Sequence, residues 1–124
     1  REMTTMIQDK NGVIAAAPSS VPDRHFRNAW MFDSAQTAIT EDITAAKVIF
    51  KDKIREVRGP LLTAEDVTYM KALEANDSDA KVASVAKKVA LRNAPAASVI
   101  TNATTITALK DAWDSDVLGA SPYK

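Results

Sequence analysis

The chain has 124 residues, 46% of them hydrophobic and 26% charged, with 16 basic residues balancing 16 acidic ones. That length suits one domain with a modest core, and the charge balance removes any general pull toward nucleic acid or an anionic membrane. The absence of cysteine excludes disulfides, thiolate catalysis and cysteine-based zinc sites.

Aromatics make up only 6% of the chain, so the core must rely on Ala, Val, Ile and Leu. No apolar run approaches the ~20 residues that span a bilayer, and neither a membrane segment nor a secretory leader is expected. The chain is expected to divide into a strand and turn segment over 1–20, one helical domain with an N-terminal hairpin over 21–114, and a tail over 115–124. The fold class is mainly α with a small N-terminal β-hairpin region (α+β).

The first elements are short strands. Thr4 to Gln8 alternates weakly, and Val13 to Ala17 is its return strand. Between them Asp9-Lys10-Asn11-Gly12 is a turn, because Asn-Gly tolerates the positive φ of tight hairpins. Pro18-Ser19-Ser20-Val21-Pro22 then breaks regular structure and reads as a linker. The alternation of Phe26, Asn28, Trp30 and Phe32 suggests a strand that turns at Asp33-Ser34 and pairs with Ala38-Ile39-Thr40. Phe26, Trp30 and Ile39 would anchor this second hairpin.

Helix begins near Asp42, whose carboxylate is suited to accept from the free N–H groups of a first turn. Ile43, Ala46, Phe50, Ile54 and Val57 share one helical face. Arg58-Gly59-Pro60 is expected to end or kink that helix, since Gly favours a helix C-terminus and Pro disfavours helix before it. Thr63-Ala64-Glu65-Asp66 then reads as a fresh capping box, with Val67, Met70 and Leu73 as the next apolar stripe. Asn76-Asp77-Ser78-Asp79 turns the chain. Val82, Val85, Ala86 and Val89 line an antiparallel return as far as Arg92. The expectation is thus a helical hairpin of residues 42–75 and 78–92, stopped at Asn93-Ala94-Pro95. A short helix over 104–114 follows, capped by Thr104 and turning Ile106, Leu109 and Trp113 inward.

Candidate chemistry is sparse. His25 is the only histidine, flanked by Asp23, Arg24 and Arg27. A general base oriented by Asp23, or an anion site on the arginines, can be drawn from them. A base needs a nucleophile and an oriented partner, and the sequence flags neither, so a polar turn in front of buried Phe26 and Trp30 is the better reading. Asp77 and Asp79 alternate as in calcium loops, but that loop's glycine and distant glutamate are missing. Helix capping accounts for them. Three glycines, at 12, 59 and 119, form no phosphate loop or nucleophile elbow. No catalytic, cofactor or metal residue is assigned.

Two basic stretches remain. Lys47 to Arg58 holds five basic and two acidic residues, and Lys81 to Arg92 holds four basic and none acidic. Lys47, Lys51, Arg55 and Arg58 fall on neighbouring turns of one helix face, as phosphate binding requires. Asp52 and Glu56 interrupt the charge and no aromatics interleave, so a solvated face is favoured over a nucleic-acid surface.

Several segments in order resemble a family of small proteins encoded by tailed bacteriophages, described as virion structural proteins or tail assembly chaperones. The resemblance runs through Val21-Pro22-Asp23-Arg24-His25-Phe26-Arg27-Asn28-Ala29-Trp30, Glu41-Asp42-Ile43-Thr44-Ala45-Ala46-Lys47 and Asp66-Val67-Thr68-Tyr69-Met70-Lys71-Ala72-Leu73-Glu74. It continues through Lys87-Lys88-Val89-Ala90-Leu91-Arg92-Asn93-Ala94 to Leu109-Lys110-Asp111-Ala112-Trp113, and so covers roughly residues 21–113. It implies protein–protein contact in a virion tail or tail fibre, or in the host cytoplasm during assembly, and no enzyme activity. The implied partners are tail or tail-fibre proteins, or further copies of the chain. The residues assigned to partner binding are Asp23, Arg24, His25, Arg27, Trp30, Lys47, Lys51, Arg55 and Arg58. The alternatives are an assembly chaperone and a weak nucleic-acid-binding module on the basic helix face.

Overall fold

A computed structural model of the chain describes residues 6–16, 18, 22, 24–36 and 38–123. It is mainly helical with two small antiparallel hairpins near the N-terminus. In the first, β1 (Met6–Gln8) pairs with β2 (Ile14–Ala16), Ile7 opposite Ala15. The turn follows its sequence: Gly12 sits at φ +84°, and Asp9 Oδ1 accepts from the backbone N–H groups of Asn11 and Val13, both at 2.9 Å. Thr4, Thr5 and Ala17 lie outside the described residues, as does most of the 18–22 linker.

The second hairpin is shorter than expected. β3 (Trp30–Phe32) pairs with β4 (Ile39–Glu41), Trp30 opposite Glu41 and Phe32 opposite Ile39. Phe26 is not part of it, because Arg24–Ala29 forms a 3-10 segment instead. The segment kinks at Phe26 (φ −111°, ψ 30°), and Phe26 and Ala29 are both fully buried. A strand would have sent them to opposite faces.

The two hairpins and the helix start are tied by polar contacts. Asp9 Oδ2 accepts from Phe32 N–H at 2.9 Å, and Lys10 N–H donates to Trp30 O at 2.9 Å. The Lys10 ammonium lies 3.2 Å from the Asp42 carboxylate. Asp42 also caps the first helix, accepting from Thr44 and Ala45 N–H at 3.0 and 3.3 Å.

That helix, α1 (Ile43–Glu74), runs unbroken through Pro60, which corrects the expected break at Gly59-Pro60. An interior proline costs roughly 3 kcal/mol, yet both sides of it are fixed. Val57, Leu61 and Leu62 pack on the core, and the Arg58 guanidinium donates to the carbonyls of Leu91 and Arg92 at 3.5 and 2.9 Å. A bend would pull one half away from these contacts. No new cap forms at Thr63. Its hydroxyl donates back to Gly59 O at 3.2 Å, the ordinary habit of a threonine inside a helix.

The return helix α2 (Ser78–Asn93) is capped by Asp77, which accepts from Ala80 N–H at 3.1 Å. Asn76 makes the turn at φ +54°. The helices lie antiparallel, as expected. Their contact, however, is built from the small residues Ala72 and Ser84, both buried, with the Ser84 hydroxyl donating to Glu65 O at 3.1 Å.

After a 3-10 turn over Ala94–Ala96 come α3 (Ser98–Thr101), α4 (Ile106–Asp111) and α5 (Ser115–Leu118). Thr105, one residue beyond the expected Thr104, caps α4 by accepting from Ala108 N–H. Leu109 and Trp113 are buried and Ile106 partly so. The segment 115–123 is not a loose tail. Leu118 and Tyr123 are buried, and the Trp113 indole N–H donates to Gly119 O at 3.0 Å. The Tyr123 ring stacks on Phe26 and Phe50 at 5.3 and 5.4 Å and meets Trp113 edge-on at 5.9 Å. Each such pair contributes about 0.5–1.5 kcal/mol beyond its buried area, which holds the C-terminus against the base of α1.

Candidate functional site

The polar segment before Trp30 is a rim on this aromatic core. Arg24, His25 and Arg27 are exposed on the 3-10 segment, while Trp30 is buried. Asp23 lies outside the described residues. The His25 ring meets Tyr123 edge-on at 5.1 Å and borders a shallow groove with Asn28, Ile49, Asp52, Lys53, Glu56 and Pro122. Lys53 is paired with Glu56 at 3.3 Å and Asp52 with Arg55 at 2.8 Å. Arg27 borders an open depression with Gln8, Asp9 and Lys10. Asp9 is committed there to three backbone N–H groups, and these, Phe32 N–H first, hold its carboxyl below the usual aspartate range. An acceptor so occupied is a brace between hairpins and a poor base.

The basic face of α1 divides by task. The Lys47 ammonium donates to Thr101 O at 2.7 Å, closing the last turn of α3. Arg58 closes the last turn of α2. Cations placed at helix C-termini satisfy free carbonyls and oppose the negative end of the helix dipole. Arg55 is paired with Asp52, and Lys51 is half-buried. Two of the four cations therefore hold the fold together. The face is not the continuous free stripe that phosphate binding needs.

The largest departure from expectation is at the far end of the hairpin. The apolar stripes of Val67, Met70 and Leu73 on α1 and of Val82, Val85 and Val89 on α2 do not meet in the helix contact. All six are between 45% and 70% exposed, and Ala86 is exposed as well. Helical steps of 100° explain this. With Ala72 and Ser84 turned inward, Leu73 and Val85 lie about 100° round on the same open face, while Met70, Val82 and Val89, roughly 140–160° from the inward direction, lie toward its outer edges. The opposite face is the covered one, where α5 packs over Leu61, Glu65, Ala90 and Leu91.

The exposed face has a polar seam. Lys88 pairs with Asp66 at 2.6 Å and lies 4.8 Å from the centre of the Tyr69 ring. Tyr69, Lys81, Val82 and Val85 line a shallow groove near its end. Aliphatic residues grouped on one face and rimmed by charge mark a contact surface. The period of the stripes was legible in the sequence. Their exposure was not, because the sequence does not say that a small-residue seam takes the inside of the hairpin.

Among the described residues no group of three or more potential metal ligands occurs, and no helix is long and apolar enough to cross a membrane. None of the family models, curated proteins or solved structures compared with this chain matches it.

Proposed function

We propose that the protein works by contact, as a structural protein of a tailed-phage tail or tail fibre, and that it docks through the outer face of its helical hairpin. The phage setting rests on the resemblance of residues 21–113 to that family. One observation supports the docking element: the large apolar side chains of Met70, Leu73, Val82, Val85 and Val89 on the two helices of the hairpin are all exposed. An isolated exposed valine is ordinary, whereas a grouped set on a protruding hairpin is a binding surface. The braced Asp9 and the two helix-closing cations fit a scaffold better than a reaction centre.

Mass spectrometry of particles purified from a phage encoding this protein tests the reading. The protein should be present in the particle, and Met70→Glu should lower its incorporation while leaving the helical circular dichroism intact. Absence from the particle would overturn the structural role. A rise in soluble yield of a co-expressed tail-fibre protein would then favour the assembly chaperone.

A further inference from the structure

We infer that the depression between the first hairpin and the 3-10 segment is a second contact site, separate from the helical hairpin, and that it takes a carboxylate from an acidic segment of a partner protein. The depression is lined by Gln8, Asp9, Lys10, Arg27 and Asn28. Lys10 lies in the turn between β1 and β2, whereas Arg27 belongs to the 3-10 segment. Two backbone contacts bring these elements together. Lys10 N–H donates to Trp30 O, and Asp9 Oδ2 accepts from Phe32 N–H, both at 2.9 Å. They fasten the turn of the first hairpin to the strand that directly follows the 3-10 segment.

The chemistry of the lining selects the ligand. Among the described residues, the side chains of Gln8, Arg27 and Asn28 make no hydrogen bond or ion pair. They present guanidinium and amide N–H donors. The Lys10 ammonium spends one contact on Asp42, at 3.2 Å, and has three protons to donate. Asp9, the one acid in the lining, is a poor rival acceptor, because its two oxygens already accept from Asn11, Val13 and Phe32 N–H. A surface rich in charged donors and short of free acceptors calls for an anion. Asp9 keeps its negative charge, and its repulsion of a dianion is twice that of a monoanion, so a carboxylate is favoured over phosphate. The guanidinium of Arg27, exposed, has the planar fork that matches the two oxygens of such a group. Small-molecule sites are enclosed and mostly apolar, whereas an open polar depression suits one acidic side chain on a partner's surface.

An NMR titration of the isotope-labelled full chain tests this, with a capped peptide of alternating glycine and glutamate as the probe. Backbone and side-chain N–H signals of Gln8, Lys10, Arg27 and Asn28 should shift with a Kd on the order of 1 mM, as befits one contact among several. Arg27→Gln should weaken binding at least about fivefold, and Arg27→Lys, which keeps the charge and loses the fork, about twofold. Arg24→Gln, a neighbouring exposed cation outside the lining, should change it little. Inorganic phosphate should bind the same residues more weakly than the peptide. No shift at these residues with roughly 10 mM peptide would overturn the inference. So would equal binding of the matching glutamine peptide, equal losses in Arg24→Gln and Arg27→Gln, or phosphate binding tighter than the peptide. The particle test of Met70→Glu concerns the helical hairpin alone, so either site can fail without the other.

Discussion

The two ends of the helical hairpin carry similar apolar residues at similar spacings and use them in opposite ways. At the base, Ala46, Phe50 and Ile54 are buried against Phe26, Trp113 and Tyr123. At the tip, Val67, Met70, Leu73, Val82, Val85 and Val89 face solvent. A period of 3.6 thus identifies a face but not what covers it. The base is covered because the 3-10 segment and the C-terminal residues fold back onto it. The tip extends beyond their reach, and a small-residue seam leaves its larger side chains outside.

That contrast can be broken most sharply at Phe50. Phe50→Ala removes a ring stacked on Tyr123 and edge-on to Trp113. It should cost about 3–5 kcal/mol, read by urea denaturation, and should loosen the 115–123 segment in hydrogen exchange. A loss below 1 kcal/mol would mean that the aromatic base does not hold the fold.

Pro60 lies where base passes into tip. Pro60→Ala restores an N–H that can bond the Glu56 carbonyl and should stabilise the protein by about 1–3 kcal/mol. If the variant instead lost stability, packing of the proline ring would outweigh the missing bond.

Asp9 tests how firmly the N-terminal hairpin joins the base. Its carboxyl is held below its ordinary value, first by the Phe32 N–H bond, so the stabilisation is fully present above the unfolded aspartate pKa of ~3.9. It should fade as pH falls from there through the lower folded value. Asp9→Asn should flatten this acid arm of the stability curve while changing β1 and β2 more than α1 in hydrogen exchange. Loss of stability on raising pH from 5 to 7 would contradict the assignment.

The smallest effect belongs to the tip. Val85→Thr keeps the shape of an exposed side chain and should change monomer stability by less than about 0.5 kcal/mol, measured by thermal unfolding at low concentration. A loss of 2 kcal/mol or more would show the outer face to be part of the core after all.

Much of this protein was decided locally and was legible in the sequence. Asn11-Gly12 made a positive-φ turn, Asp42 and Asp77 capped the two long helices, and Asn93-Ala94-Pro95 ended the second. Each depends on one residue's backbone preference or on a hydrogen bond a few positions away. The rest depended on partners distant in the chain. Pro60 stayed helical because Arg58 and Leu61 were already held by α2 and the core. Phe26 left its strand because the Tyr123 ring waited on one side of it. Lys47 and Arg58, read as a free basic face, became clamps on Thr101 and on Leu91 and Arg92. The valines of the hairpin tip, read as core, remained outside because Ala72 and Ser84 allowed the backbones to approach. Periodicity is a property of one helix, whereas burial belongs to two surfaces at once, and only the tertiary structure brings the second surface into place.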